Sequence, residues 1–175
     1  MVRLIVLSGP PGIGKSTVAD AVAALHPAVR LSIDDVEEAM RACGLAARQT
    51  GVAAYEVVRA AAEQNLAQGL DVVVDAVNDS EPARGTWRRA AAATGAALLQ
   101  IVLVIDDAAT HRTRLEGRTR PFVHLAEPAW DAVVVARPDR WGPGVLRLDA
   151  AHPVEELARS VLAAVPSSPP SHPAA

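Results

Sequence analysis

Gly9-Pro10-Pro11-Gly12-Ile13-Gly14-Lys15-Ser16 is the stretch on which the reading of this chain turns. It matches the pattern G-x-x-x-x-G-K-[ST] at every position. Glycines let successive backbone N–H groups turn inward around a phosphate, and a following helix offers its positive end to the same anion. A lysine ammonium, compact and with three donors, reaches the β- and γ-phosphates, and the serine hydroxyl serves Mg²⁺. The surroundings fit. Val2 to Leu7 is an apolar run of strand length, and Thr17 to Leu25 reads as a helix. Lys15 is the only lysine among 17 basic residues, the rest being arginine. A ligand-free glycine turn would not need that one ammonium. Gly9, Pro10, Pro11, Gly12, Ile13, Gly14, Lys15, Ser16 and Thr17 are therefore the candidate nucleotide-binding residues.

Working outward, strand and helix signals alternate. Strands are expected at 2–7, 29–33, 71–75, 97–105 and 145–149. Helices are expected at 14–25, 35–42, 53–68, 81–94, 107–117 and 153–165, with a short one near 128–136. Apolar runs without period-two alternation imply strands buried on both faces, hence a parallel sheet with helices on either side. The expected fold class is α/β, a three-layer α/β/α arrangement around five parallel strands in the order 2-3-1-4-5. Right-handed crossovers then gather the loops after the strands along one edge. One domain spans 1–165, an arginine-bearing lid covers about 112–128, and the Pro/Ser-rich end 166–175 is read as a disordered tail. Gly44 to Val52 is read as a loop between two helices.

Composition narrows the partners. Net charge is −3 and there is no basic tract, which argues against a grip on long nucleic acid. The single cysteine, Cys43, excludes an internal disulfide and fits a reducing cytoplasm, with the thiol expected to be at least half-buried. No apolar run is long enough for a membrane span, and the apolar start leads straight into the glycine loop rather than into a leader pattern. Nothing in the pattern indicates an oligomeric state.

Three groups carry candidate chemistry. The second strand runs into Asp34-Asp35, beside the glycine loop, where a carboxylate can take the proton of an attacking hydroxyl and help to place Mg²⁺. Asp34 is preferred as base; a capping box between Asp34 and Glu37 is the structural alternative. The third strand, Asp71 to Asp75, closes on an acid suited to the Mg²⁺ environment, with Asn78 beyond it as a weaker candidate for touching substrate. Lastly, Arg112, Arg114, Arg118 and Arg120 cluster within ten residues. Arg118, then Arg114, is read as lid arginines that stabilise charge on a transferring phosphoryl group, the two sharing a helix face four residues apart. A solvated face with Arg112 or Arg120 paired to Glu116 is the alternative. The histidines show no metal-ligand spacing, and Trp87, Trp130 and Trp141 are read as packing groups.

Taken together, the glycine loop, Ser32-Ile33-Asp34-Asp35, Asp75 and Arg114-Leu115-Glu116-Gly117-Arg118 resemble the P-loop kinases. More narrowly they are similar to the AAA-type small kinases grouped with the kinase domain of polynucleotide kinase, zeta toxins and chloramphenicol phosphotransferase. The resemblance covers about residues 2–165. It implies transfer of the γ-phosphoryl of ATP to a hydroxyl with Mg²⁺, Asp34 as general base, Lys15 and Ser16 as phosphate and metal ligands, and Arg118 as the lid arginine. One departure matters: polynucleotide kinases carry an arginine just after the Asp-Asp pair, and here the stretch reads Val36-Glu37-Glu38, with Arg41 a turn further on. That tilts the expected acceptor toward a small hydroxyl-bearing molecule. A 5′-hydroxyl polynucleotide kinase and a nucleotide-gated NTPase without an acceptor are the two rivals.

Overall fold

The structure, a computed structural model, describes residues 1–136 and 138–164. The predicted tail 166–175, the last residue of the final predicted helix and Arg137 lie outside the described residues.

Five strands form one parallel sheet: β1 (Arg3–Ser8), β2 (Ala28–Ser32), β3 (Asp71–Asp75), β4 (Ala97–Val104) and β5 (Leu146–Asp149), in the order β2-β3-β1-β4-β5. The three inner strands show why apolar runs carry no alternation. Leu4 and Val6 of β1 with Val72 and Val74 of β3 pack on one face, while Ile5, Leu7 and Val73 pack on the other. The first face is covered by α3 (Ala47–Ala67) and α4 (Glu81–Thr94), the second by α1 (Lys15–Leu25) and α7 (Val154–Ala163). Each such aliphatic side chain, removed fully from water, contributes roughly 1.5–3 kcal/mol. Three further helices, α2 (Ile33–Ala42), α5 (Ala108–Gly117) and α6 (Trp130–Val135), sit with the loops at the carboxyl edge. No helix among the described residues is long and apolar enough to cross a membrane.

Two local expectations change. The loop placed at 44–52 is much shorter, because α3 starts at Ala47. The Gln49 side chain accepts from the Ala46 N–H at 3.0 Å, a local cap, and Thr50, fully buried, donates to Glu37 at 2.7 Å, a tertiary contact that draws the weak helix formers Thr50 and Gly51 into the helix. Cys43 is exposed rather than half-buried, since it ends α2 on the solvent side.

Candidate active site

The glycine loop joins β1 to α1, as its pattern demands. Gly14 caps α1 at φ 102°, no side chain caps the helix, and no acid lies in its first turn. The helix therefore presents unopposed first-turn amides, the arrangement that favours an anion. Two glycines are required by close approach as well as by positive φ. A Cβ on Gly9 would lie 2.8 Å from the Leu103 carbonyl oxygen of β4, and one on Gly12 would lie 2.8 Å from the Leu115 Cβ of α5. Neighbouring elements thus hold the loop from outside. His111, buried on α5, adds a hydrogen bond between its Nε2 and the Pro11 carbonyl at 2.8 Å.

Lys15 Nζ donates to the Pro10 carbonyl at 3.1 Å. Burial lowers its pKa to about 8; Asp34 and Asp75 oppose the drop, and Arg118 and Arg120 add to it. The loop and α1 line a cleft of about 630 Å³ together with Asp34, Arg114, Arg118 and Arg120. Ala150, His152, Val154 and Leu157 also line it.

The paired acids separate in the structure. β2 ends at Ser32 and α2 begins at Ile33, so Asp34 and Asp35 both occupy the first helical turn, where the positive helix end favours them. Successive helical residues point about 100° apart. Asp34 accordingly lines the cleft, and Asp35 turns to Arg30 at 2.9 Å. The alternative of a capping box does not form: Glu37 takes Arg41 at 2.8 Å and Thr50 at 2.7 Å instead. Asp75 is buried at the end of β3 and accepts from Arg30 at 3.0 Å. Arg30 also pairs with Asp20 of α1 at 2.9 Å, so one guanidinium ties three carboxylates from three elements. Burial alone would lower the Arg30 pKa, and the carboxylates of Asp75, Asp20 and Asp35 more than reverse it. Arg30 went unnoticed in the sequence because a lone arginine inside a strand carries no local pattern.

Asn78 is excluded as a substrate contact. It is fully buried; its Nδ2 donates to Ser8 Oγ at 2.9 Å and its Oδ1 accepts from Trp87 Nε1 at 2.8 Å. Its N–H donates to the Tyr55 hydroxyl at 3.1 Å, and its φ is 52°. Asn78→Ala strands two buried polar partners. It is expected to cost about 2–4 kcal/mol of stability, read as a lowered urea midpoint with unchanged slope.

The arginine cluster is arranged differently from the expected single helix face. α5 stops at Gly117, and Arg118 follows in extended conformation. Arg114 Nη1 donates to the Ala150 carbonyl at 2.7 Å, Arg118 pairs with Glu127, and Arg112 pairs with Glu116. Of the two arginines weighed as partners of Glu116, Arg112 is therefore the one that pairs with it, and Arg120 reaches Asp34 and Glu127. The segment after α5 is also clasped from α2. Glu38 accepts from the N–H groups of Val123 at 2.9 Å, His124 at 3.0 Å and Leu125 at 2.6 Å.

Burial would raise the Glu38 pKa, but those three amides and the nearby His124 hold it below the ordinary glutamate value. A carboxylate with a depressed pKa stabilises the clasp fully above its unperturbed value and loses that contribution as pH falls through the lowered one. Glu38→Ala is expected to speed hydrogen exchange at amides 123–125 while leaving the exchange of β1 and β3 unchanged. Acidification should reproduce the effect in the wild type.

A second cavity, of about 390 Å³, lies along Gly9, Pro10 and Pro11 at the ends of β1 and β4. Trp130 and Trp141, expected to be packing groups, both line it; Trp130 meets the His111 ring edge-on at 5.2 Å, and Trp141 lies under the Arg84 guanidinium at 3.8 Å.

The model of the AAA domain family (AAA_33) matches residues 4–134, from β1 into α6. The chain belongs to that family. Uncharacterized proteins of Mycobacterium tuberculosis (strain H37Rv) and Mycobacterium bovis are each 32% identical over 171 residues, covering 88% of this chain and 33% of theirs. The chain thus spans about a third of the length of these curated relatives. Among solved structures, a gluconokinase from Sinorhizobium meliloti superposes with a TM-score of 0.65 at 23% identity, covering 92% of this chain and 90% of that one. The Mycobacterium tuberculosis APS kinase, in complex with AMPPNP and APS, gives 0.68 at 20% identity over 93% and 96%. A tunicamycin resistance protein from Deinococcus radiodurans gives 0.66 at 15% over 97% and 100%. At these identities the likeness establishes the P-loop kinase fold that the sequence led us to expect.

Proposed function

We propose that this AAA-domain protein is an ATP- and Mg²⁺-dependent phosphotransferase that moves the γ-phosphoryl group to a hydroxyl of a small molecule. The observation that carries this reading is the position of Asp34. Of the paired acids it alone lines the cleft onto which Lys15 and the uncapped start of α1 open, facing Arg114, Arg118 and Arg120.

The site fits the expected cofactors. Ser16 is exposed at the start of α1, and Asp34 lines the same cleft. Among the described residues no group of three or more His, Cys, Asp or Glu side chains is placed to hold a metal. Mg²⁺ does not need one: it is commonly bound by one or two carboxylates, water and substrate phosphates. Bound there, it supplies neutralisation of charge on the phosphate oxygens. Asp75 contributes from behind, as a buried carboxylate shared with Arg30.

In this mechanism Lys15 exchanges the Pro10 carbonyl for phosphate oxygens, and the α1 amides orient the triphosphate. Arg120 leaves Asp34, whose carboxylate then accepts the acceptor's hydroxyl proton as the new O–P bond forms and the bond to the ADP oxygen breaks. Arg118 and Arg114 stabilise charge on the transferring group, and the segment at about 112–128 acts as a lid that excludes water. The Ala150–His152 turn, whose residues Ala150 and His152 line the same cleft, suits the adenine edge. A nucleic-acid acceptor is disfavoured because Arg41, the nearest arginine after the acid pair, is held by Glu37 at 2.8 Å.

ADP release measured against nucleosides, sugars, antibiotics and oligonucleotides tests the reading. Release that rises only with a small hydroxyl compound is expected. Phosphorylation of a 5′-hydroxyl oligonucleotide alone, or hydrolysis indifferent to every acceptor, would replace it with one of its rivals.

A further inference from the structure

The second cavity belongs to no step described so far. It opens at the carboxyl ends of β1 and β4, the neighbouring strands from which the chain departs in opposite directions. Crevices at such a reversal of strand order are where open α/β sheets bind ligands. At about 390 Å³ it has the size of a small-molecule pocket.

Its lining is specific in kind. Val77, Val104, Ile105 and Val133 supply aliphatic walls, and Trp130 and Trp141 supply rings. The histidine on this wall is already engaged, its Nε2 at the Pro11 carbonyl. Among the described residues, two charged side chains, Asp79 and Arg147, also line the chamber, and both residues are exposed. A polyol or sugar acid placed in such a chamber would lose water from several hydroxyls and regain few hydrogen bonds, a cost for every unmatched group. A compact ring loses nothing comparable and gains burial.

The chamber also adjoins the reacting machinery. Pro10 forms part of its wall, and the Pro10 carbonyl is the acceptor for the Lys15 ammonium at 3.1 Å. One peptide group separates the chamber from the charge assigned to the γ-phosphate.

We infer that this chamber receives the body of the phosphoryl acceptor, and that the acceptor is a hydroxyl compound with a compact apolar ring rather than a polyol, a sugar acid or a phosphate ester. The inference rests on the kinase reading above and narrows its substrate class. The hydroxyl projects past Pro10 and Pro11, and the bonds and the proton move as already described.

The three tryptophans provide the readout. Trp130 and Trp141 line the chamber, whereas Trp87 is fully buried elsewhere with its indole held by Asn78. In ¹H–¹⁵N spectra, 2-phenylethanol and cyclohexylmethanol are expected to shift the Trp130 and Trp141 indole signals and leave Trp87 in place. Glucose and gluconate should shift none. ADP release should be at least about tenfold higher with the ring alcohols than with the polyols at matched concentration. Val133→Arg, on the half-buried side of α6, should remove both the shifts and the alcohol-dependent release while the calorimetric heat of Mg·ATP binding persists.

Release driven by glucose or gluconate and not by the ring alcohols would overturn the inference and leave the kinase reading standing. Indole shifts without increased release would overturn the acceptor role of the chamber. Absence of any Mg·ATP heat in the wild type would instead remove the kinase reading, and the acceptor role with it.

Discussion

Lys15→Ala is expected to abolish the heat of Mg·ATP binding and to lower kcat/KM for ADP release by about 10³ or more, since it removes the ammonium placed to meet the phosphates. Lys15→Arg should rescue little. The ammonium reaches the Pro10 carbonyl as a compact donor inside a closely held loop, and a planar guanidinium fork neither fits nor hydrates in the same way. The pH dependence follows from the same burial. With its pKa lowered to about 8, Lys15 in the free protein is charged below that value and loses its proton as pH rises through it. The profile of kcat/KM should therefore fall above about pH 8. Bound phosphate favours the charged form, so the corresponding limb in kcat should lie at higher pH. Calorimetry that returns wild-type heat for Lys15→Ala would refute the nucleotide-site assignment.

Asp34→Asn should lower kcat by about 10²–10⁴ while nucleotide binding is largely retained, because an amide of the same shape cannot take the acceptor's proton. It has a second expected consequence. The Arg120 guanidinium loses a charged partner, so amides 118–125 should exchange faster. The two readouts separate a base from a clasp: turnover reports proton acceptance, and exchange reports docking of the segment. Asp35→Asn is the contrast, since Asp35 faces Arg30 from an exposed position. Its kcat should stay within about threefold of wild type, as expected for an exposed ion pair. Near-normal turnover in Asp34→Asn would dismiss it as the base.

The apolar runs around Ile5, Val73 and Ile101 made the parallel sheet legible, because a strand covered on both faces needs apolar residues at consecutive positions. The start of α3 was not legible. Thr50 and Gly51 are weak helix formers, and the helix through them is secured by a contact with α2 that is 13 residues away in sequence, from Thr50 to Glu37. The same limit applied to the arginines. Gly117 marks the end of α5, but nothing local says that Arg120 will reach Asp34, 86 residues away.

The sequence by itself determined the phosphate-binding loop, the strand and helix order, and the presence of an acid pair and an arginine cluster near it. These are set by local chemistry: glycine at sites of positive φ, apolar runs, and spacing along one strand–helix junction. Only the tertiary structure decided which acid faces the cleft, that Arg30 joins Asp20, Asp35 and Asp75, that Asn78 is a packing residue, and that Trp130 and Trp141 wall a chamber. Those outcomes depend on directions of side chains brought together across the sheet edge, and direction is fixed by packing between elements rather than by order along the chain.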